Sequence, residues 1–161
     1  MIDGLPRALT ITAAVGAAVA GGALFVFSAF VMPGLRRLSG EDGARAMQAI
    51  NKAAPTSPAF LVVFMGTALV CVGLGVVAIT RLDEPYAKYL IAGGVLYLAT
   101  IAITGVYHVP RNNALDLVDP ATAAGVDAWR AYVPGWVAWN HVRSATAIAG
   151  SVSYVLALTT T

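Results

Sequence analysis

The stretch LTITAAVGAAVAGGALFVFSAFVM, residues 9–32, contains no Asp, Glu, Lys or Arg. A helix rises about 1.5 Å per residue, so about 20 apolar residues are enough to cross the ~30 Å hydrocarbon core of a bilayer. A helix buried in a soluble protein is usually shorter and keeps a polar stripe along one side. The stretch therefore predicts a helix that spans a membrane.

Cleavage as a secretory signal peptide is the alternative fate of this stretch. Arg7 precedes the apolar run, and Ala18-Val19-Ala20 resembles a cleavage site. The run continues past that site to Met32, so cleavage would leave an apolar stub at the new N-terminus. We therefore expect the stretch to be retained as the first helix.

Three more apolar runs follow at residues 58–80, 89–107 and 136–158, and Arg143 is their only charged residue. The chain of 161 residues is 58% hydrophobic and 11% charged, whereas a soluble domain carries about twice that share of charge. Within lipid, backbone polar groups must bond inside their own segment, which requires helices. We predict an all-α fold, a single integral membrane four-helix bundle over residues 1–161, with helices at about 9–32, 58–80, 88–108 and 136–158.

Loop one, residues 33–57, is long enough to hold a surface helix. Ser39 followed three residues later by Asp42 is typical of a helix start. Apolar side chains then recur at helical spacing at Ala44, Met47, Ile50 and Ala54. This pattern predicts a short amphipathic helix that lies against the membrane surface or the bundle.

Loop three, residues 109–135, predicts a second surface helix. Asp119 before Pro120 is typical of a cap followed by proline at the first helical position. The segment ATAAGVDAWRAYV would form the helix, and Pro134-Gly135 would turn the chain into the fourth membrane helix.

Charge distribution predicts the sidedness of the bundle. Four helices place loops one and three on the same side of the membrane, and that side holds seven basic residues against three on the other. By the positive-inside rule, loops one and three are cytoplasmic and both termini are outside. An arginine that serves a functional site would bias this count. The net charge of +2 is too small and too scattered to indicate nucleic acid, so the bilayer is the expected partner.

Small residues in GAAVAGGALF, residues 16–25, would let the first helix approach another closely. We expect this packing to occur within the bundle, and the alternative is the face of a homodimer. The single cysteine, Cys71, lies in the middle of the second run and is expected to be a packing residue.

Polar side chains concentrate in YHVPRNNALDLV, residues 107–118, and in GWVAWNHVRSAT, residues 135–146. Both segments lie near loops one and three, so their side chains meet at one mouth of the bundle. Trp136, Asn140 and Arg143 fall on one helical face. Arg143 either reaches the headgroups or faces the bundle interior beside a partner. The available partners are Asp127, Asp116, Asn112 and Asn51.

Each of these residues also has a structural interpretation. Trp129, Trp136, Trp139, Tyr107 and Tyr132 could form an interfacial aromatic belt. Asn112 and Asn113 could be turn residues after Pro110, and Ser28 could bond only to its own helix backbone. A polar cluster inside a membrane bundle nevertheless indicates a functional site, because burying polar groups in lipid costs free energy.

His108 and His141 are the only histidines, and both lie near this mouth. A metal or haem site would need two axial histidines, or histidine with carboxylates, and no Asp or Glu is in helical register with either one. We therefore expect no metal site, with metal or haem as the minor alternative. His141 is rotated about 100° from Asn140, so the two side chains cannot both point inward.

At these residues the chain resembles a known family. FSAFVMPGL, MQAIN, YHVPRNNAL and WVAWNHVR resemble the small four-helix membrane proteins that include the fungal anthrone oxygenases, in the same order over nearly the whole chain. The resemblance implies oxidation of an anthrone to an anthraquinone by O₂ without an added cofactor. The Ala-, Gly- and Val-rich helices resemble bacterial members, which implies the bacterial inner membrane as the location.

That chemistry needs a base, donors for the developing oxyanion, and a flat apolar pocket that excludes water. His141 or His108 would be the base, and Arg143, Asn140 and Asn112 would be the donors. Trp136, Trp139 and Tyr107 would form the pocket walls. Further substrate contacts are expected in the motifs that carry the resemblance, at Asn113, Asn51, Phe27 and Ser28.

Two other classes of function stay open. The chain could be a non-enzymatic membrane protein that binds a lipid, a small hydrophobic ligand or a partner subunit, because it lacks a strongly nucleophilic or metal-binding set of residues. A transporter is least favoured, because the four helices show no polar lane through the middle of the membrane.

Overall fold

The computed structural model describes residues 2–160, which are almost entirely helical and contain no strand. The helices are α1 (Gly4–Leu35), α2 (Gly40–Ala53), α3 (Pro58–Ile79), α4 (Ala87–Asp116) and α5 (Ala123–Thr159). All but α2 are long and apolar enough to cross a membrane. The prediction of an all-α membrane four-helix bundle is confirmed.

The four membrane helices form a closed ring in which α1 and α4 each pack against both α3 and α5. Small residues bring α1 and α5 together: the Ser144 hydroxyl donates to the Gly21 carbonyl at 2.9 Å, and the Ser151 hydroxyl donates to the Ala14 carbonyl at 2.8 Å. The small residues of 16–25 therefore pack within the chain. A homodimer stays a prediction.

The crossing of α4 and α5 depends on Gly93. A Cβ atom at this position would lie 2.9 Å from the ring of Tyr154, a side chain with no exposed surface. Gly73, by contrast, has nothing within 4 Å of its missing Cβ. The two positions therefore form a matched pair for testing the packing of the bundle.

We expect Gly93→Ala to lower the free energy of unfolding, relative to Gly73→Ala, by about 1–3 kcal/mol, the usual cost of an extra methyl group in a packed core. Both substitutions change helix propensity by the same amount, so the difference reports the clash with Tyr154. The measurement is the thermal unfolding midpoint of each purified variant in the same detergent. Equal midpoints would show that Tyr154 can move aside.

The surface helix predicted in loop one is α2, and Ser39 caps it: the Asp42 N–H donates to the Ser39 hydroxyl at 3.1 Å. Gln48 fastens α2 to the end of α4. Its side-chain nitrogen donates to the carbonyls of Leu115 and Val118, both at 2.9 Å.

The separate surface helix predicted in loop three is wrong. Residues 123–135 are the first turns of α5, which continues through Pro134 without a break. Proline breaks a helix where the carbonyl four residues earlier loses its bond and cannot be satisfied. Pro134 and Arg130 are both exposed, so that carbonyl can bond water or headgroups instead.

The predicted cap at Asp119 is also wrong. The helix begins four residues later, and Thr122 is its cap: its hydroxyl accepts from the Gly125 N–H at 3.1 Å. The Asp119 carboxylate accepts from the Ala121 N–H at 3.0 Å, which makes a turn that competes with a helix start. The connection between α4 and α5 is therefore only residues 117–122.

Three membrane helices contain a π-helical turn, at Phe27–Val31, Val62–Gly66 and Thr104–His108. All three lie in the half of the bundle next to loops one and three. Such turns disturb the regular hydrogen bonding of a helix and occur frequently at functional sites. In the π-helical turn of α3, the backbone carbonyl of Phe64 accepts a hydrogen bond from the Tyr97 hydroxyl of α4 at 3.0 Å.

Candidate functional site

A cavity of about 380 Å³ lies in the same half of the bundle. Every helix contributes to its wall, and most of the lining atoms are apolar. The polar lining residues are Asn51, Thr104, His108, Asn112, Asn113, Asp116 and Arg143. Pockets for small organic ligands have volumes of about 300–1,000 Å³ and this kind of lining.

Arg143 is held inside the bundle with only 5% of its surface exposed. Its guanidinium donates from Nη1 to the Thr104 hydroxyl at 3.1 Å and from Nη2 to the Asn140 side-chain oxygen. The guanidinium carbon lies 5.6 Å from the centre of the Trp136 ring. Arg143 therefore faces the interior of the bundle and not the headgroups.

Neither of the predicted acidic partners of Arg143 contacts it. Within residues 2–160 the only salt bridges are Arg45–Glu41 and Arg130–Asp127, and Asp116 accepts a hydrogen bond from Asn51 at 3.4 Å. The buried positive charge thus has neutral hydrogen-bond partners alone. Such a charge favours an anionic ligand in the cavity that it lines, because a buried charge is costly until it is paired.

Asn140 has no exposed surface and uses its whole amide within the protein. Its nitrogen donates to the Leu24 carbonyl at 2.6 Å and to the Ser28 hydroxyl at 2.7 Å, while its oxygen accepts from Arg143. No N–H is left for a ligand. Asn140 and Ser28 do not line the cavity. They form a hydrogen-bonded chain that holds the guanidinium of Arg143 in position.

We expect Asn140→Ala to lower the free energy of unfolding by about 2–5 kcal/mol, because three hydrogen bonds in a membrane bundle contribute about 0.6–1.7 kcal/mol each. The measurement is the unfolding midpoint without added ligand. His141→Ala is the matched control, since His141 is the next residue and is exposed. A loss of stability as large in the control would contradict the role given to Asn140.

His108 is 1% exposed and lines the cavity. Its Nε2 atom lies 3.3 Å from the Trp136 carbonyl oxygen. A carbonyl can only accept, so Nε2 carries the ring hydrogen and Nδ1 keeps a lone pair. Nδ1 is buried and has no hydrogen-bond partner among the described residues. His108 therefore has one ring nitrogen that no hydrogen bond within the protein uses.

The side chain of Asn112 is held through its amide oxygen. Its side-chain oxygen accepts from the Tyr132 hydroxyl at 2.8 Å and from the Trp136 indole nitrogen at 3.2 Å. Because both partners are donors, the amide atom that they bond must be the oxygen. The amide nitrogen therefore points away from Tyr132 and Trp136. Asn112 lines the cavity, so this N–H group can stabilise an oxygen that becomes negative.

Five of the predicted site residues lie outside the cavity: Asn140 and Ser28, described above, and His141, Trp139 and Tyr107. His141 is exposed, and Trp139 is 42% exposed with its ring centre 5.0 Å from that of Tyr107. The Arg111 guanidinium lies 3.6 Å from the centre of the Tyr107 ring. This arrangement on the outer surface favours the aromatic-belt interpretation for Tyr107 and Trp139.

Three of the four further predicted contacts reach the cavity, and Ser28 does not. Phe27, Asn51 and Asn113 line it. Sequence reasoning missed Thr104 and Phe60, which line it as well. Thr104 precedes His108 by one helical turn, and that spacing was the available signal. Within residues 2–160, no group of three or more His, Cys, Asp or Glu side chains could hold a metal ion.

The family model for anthrone oxygenase matches residues 59–153, which is more than half of the chain. The match includes His108, Asn112, Trp136 and Arg143. No curated protein and no solved structure matches the chain significantly. The match contains two of the four motifs that carry the resemblance, YHVPRNNAL and WVAWNHVR, and it confirms the predicted family: the chain belongs to the anthrone oxygenase family.

Proposed function

We propose that the protein is a membrane oxygenase that oxidises a lipophilic aromatic substrate of the anthrone type with O₂. The observation that carries the proposal is the cavity itself. Its polar lining includes Arg143, whose guanidinium has no carboxylate partner among residues 2–160, His108, whose Nδ1 has no hydrogen-bond partner there, and Asn112. Such a set of groups suits a planar, poorly soluble molecule that becomes an anion during the reaction.

The reaction converts the CH₂ group of an anthrone to a carbonyl: anthrone and O₂ give anthraquinone and water. Removal of one proton from the CH₂ carbon gives a phenolate-like anion. That anion transfers one electron to O₂, and the two radicals combine to form a carbon–oxygen bond. The peroxide anion then takes up the proton that was removed in the first step. The resulting hydroperoxide loses water, which takes up the second hydrogen of the original CH₂ group. Carbon is oxidised and O₂ is reduced, so no further reductant is needed.

His108 would accept the first proton at Nδ1 while its Nε2–H stays bonded to the Trp136 carbonyl. Arg143 and Asn112 would donate to the substrate oxygen, where negative charge collects as the proton leaves. Phe27, Phe60 and Trp136 would pack against the rings. The proposal uses O₂ as co-substrate and assigns no step to a resident cofactor.

We place the protein in the bacterial inner membrane with loops one and three in the cytoplasm. Arg143 is buried in the site, so it is left out of the positive-inside count. Six basic residues then remain on the side of loops one and three, against three on the other side. The site would open toward the cytoplasmic half of the bilayer.

Oxygen uptake by the purified protein in lipid nanodiscs, supplied with anthrone, tests the proposal. Empty nanodiscs provide the background, because anthrones also oxidise unaided in air. We expect uptake well above that background, with one anthraquinone formed for each O₂ consumed. Uptake at the background rate, together with saturable binding of anthrone, would favour the alternative of a membrane protein that binds a hydrophobic ligand.

A further inference from the structure

A second cavity, of about 440 Å³, shares no lining residue with the first. It lies between the end of α1, the start of α2 and the first half of α5. Two arginines, Arg36 and Arg130, line it together with the apolar side chains of Leu38, Val133 and Pro134. We call this cavity the arginine cleft.

The charge of Arg36 in this cleft is not neutralised. No carboxylate of the described residues lies within 4.0 Å of it. The carboxylates of the adjoining helices have other partners: Glu41 bonds Arg45, Asp42 bonds the Ser39 hydroxyl, and Asp127 bonds Arg130. Arg130 shares its charge with Asp127, so Arg36 carries the unpaired positive charge of the cleft.

The cleft is expected at the depth of the lipid headgroups. The continuous helical segment that ends at Leu35 has 32 residues and a length of about 48 Å at ~1.5 Å per residue, well beyond the ~30 Å hydrocarbon core. Arg36 follows directly after its end. Val133 and Pro134 form an apolar wall beside the two arginines, as a glycerol backbone and the start of acyl chains would require.

We propose that the arginine cleft binds the phosphate group of an anionic membrane lipid. Arg36 and Arg130 donate to the phosphate oxygens, and Leu38, Val133 and Pro134 contact the apolar part of the lipid. Basic pockets between membrane helices on the cytoplasmic side recognise anionic headgroups in this way. Each basic residue near the membrane surface strengthens the binding of anionic lipid. The proposal does not depend on the oxygenase reaction.

The test is a titration of the detergent-purified protein with short-chain phosphatidylglycerol, followed through the thermal unfolding midpoint, because a ligand that binds the folded state raises that midpoint. The variants are Arg36→Gln and Arg37→Gln. They remove equal charge from adjacent exposed residues, but only Arg36 lines the cleft. Arg36→Gln is expected to need about fivefold more lipid for the same shift, while Arg37→Gln matches the unsubstituted protein.

Two further ligands separate the possible sources of the phosphate. Phosphatidylcholine, whose headgroup is neutral overall, is expected to give a much smaller shift, and an equal shift would overturn the recognition of charge. Inorganic phosphate alone is expected to have little effect. If inorganic phosphate gave the same midpoint shift as phosphatidylglycerol, and Arg36→Gln reduced that shift, the ligand of the cleft would be free phosphate and not a lipid. Equal titrations for Arg36→Gln and the unsubstituted protein would overturn the site.

Discussion

Replacement of Arg143 by methionine is expected to lower kcat for anthrone oxidation by about 100- to 1,000-fold, the usual loss when one donor to a developing oxyanion is removed. Arg143 lines the cavity, and none of the carboxylates of residues 2–160 forms a salt bridge with its positive charge. Methionine fills a similar volume without charge or N–H groups. The substrate anion would then form in an apolar pocket with only Asn112 to stabilise it.

The structure of the variant is expected to persist, because Asn140 keeps both bonds from its nitrogen to α1. Unfolding midpoints measured beside the rates verify this. Arg111→Met is the matched control, since Arg111 is exposed over the Tyr107 ring and does not line the cavity. Full activity in a folded Arg143→Met protein would exclude the guanidinium from the reaction.

Replacement of His108 by glutamine is expected to lower kcat by about 100- to 10,000-fold, the range that a positioned general base contributes. The glutamine amide can still donate to the Trp136 carbonyl as Nε2 does. It has no nitrogen lone pair that accepts a proton, so the packing is retained while the base is lost. His141→Gln is the control, because His141 is exposed outside the cavity.

The pH dependence separates the loss of a base from misplacement of the substrate. Hydroxide can replace the missing base, so the residual rate of His108→Gln should rise steadily with pH. Added imidazole should restore part of the rate for the same reason. A variant that lost activity only through a displaced substrate would show a raised KM and no response to imidazole. Equal losses in His108→Gln and His141→Gln would remove His108 from the role of base.

The fold could be predicted almost entirely from composition. Uncharged runs such as residues 9–32 leave few structures that satisfy the backbone within lipid. The ends of the helices were less predictable. The first charged residues show where a segment leaves the hydrocarbon core, but the helix can continue beyond that point. α5 therefore extends well before its apolar run, through Pro134, where a free carbonyl on an exposed surface costs little.

The site was predictable in location but only partly in its residues. Helical spacing placed Asn140 and Arg143 on one face, and they are bonded to each other. Spacing could not show that the Asn140 side-chain nitrogen donates to Leu24 and Ser28, because these bonds depend on contact between helices that are far apart in the sequence. The π-helical turn at Thr104–His108 also rotates the residues that follow it around the axis of α4. A prediction that assumes a regular 3.6-residue repeat does not include this rotation.

The attachment of α2 through Gln48 separates the shape of the cavity from the position of its reactive groups. The groups assigned to chemistry, Arg143 and His108, belong to the membrane helices, whereas Met47, Ile50 and Asn51 line the cavity from the surface helix α2. Gln48 fastens that helix from outside the ring of membrane helices. Substitutions along one 14-residue segment can thus change which molecules fit while the reactive groups keep their places.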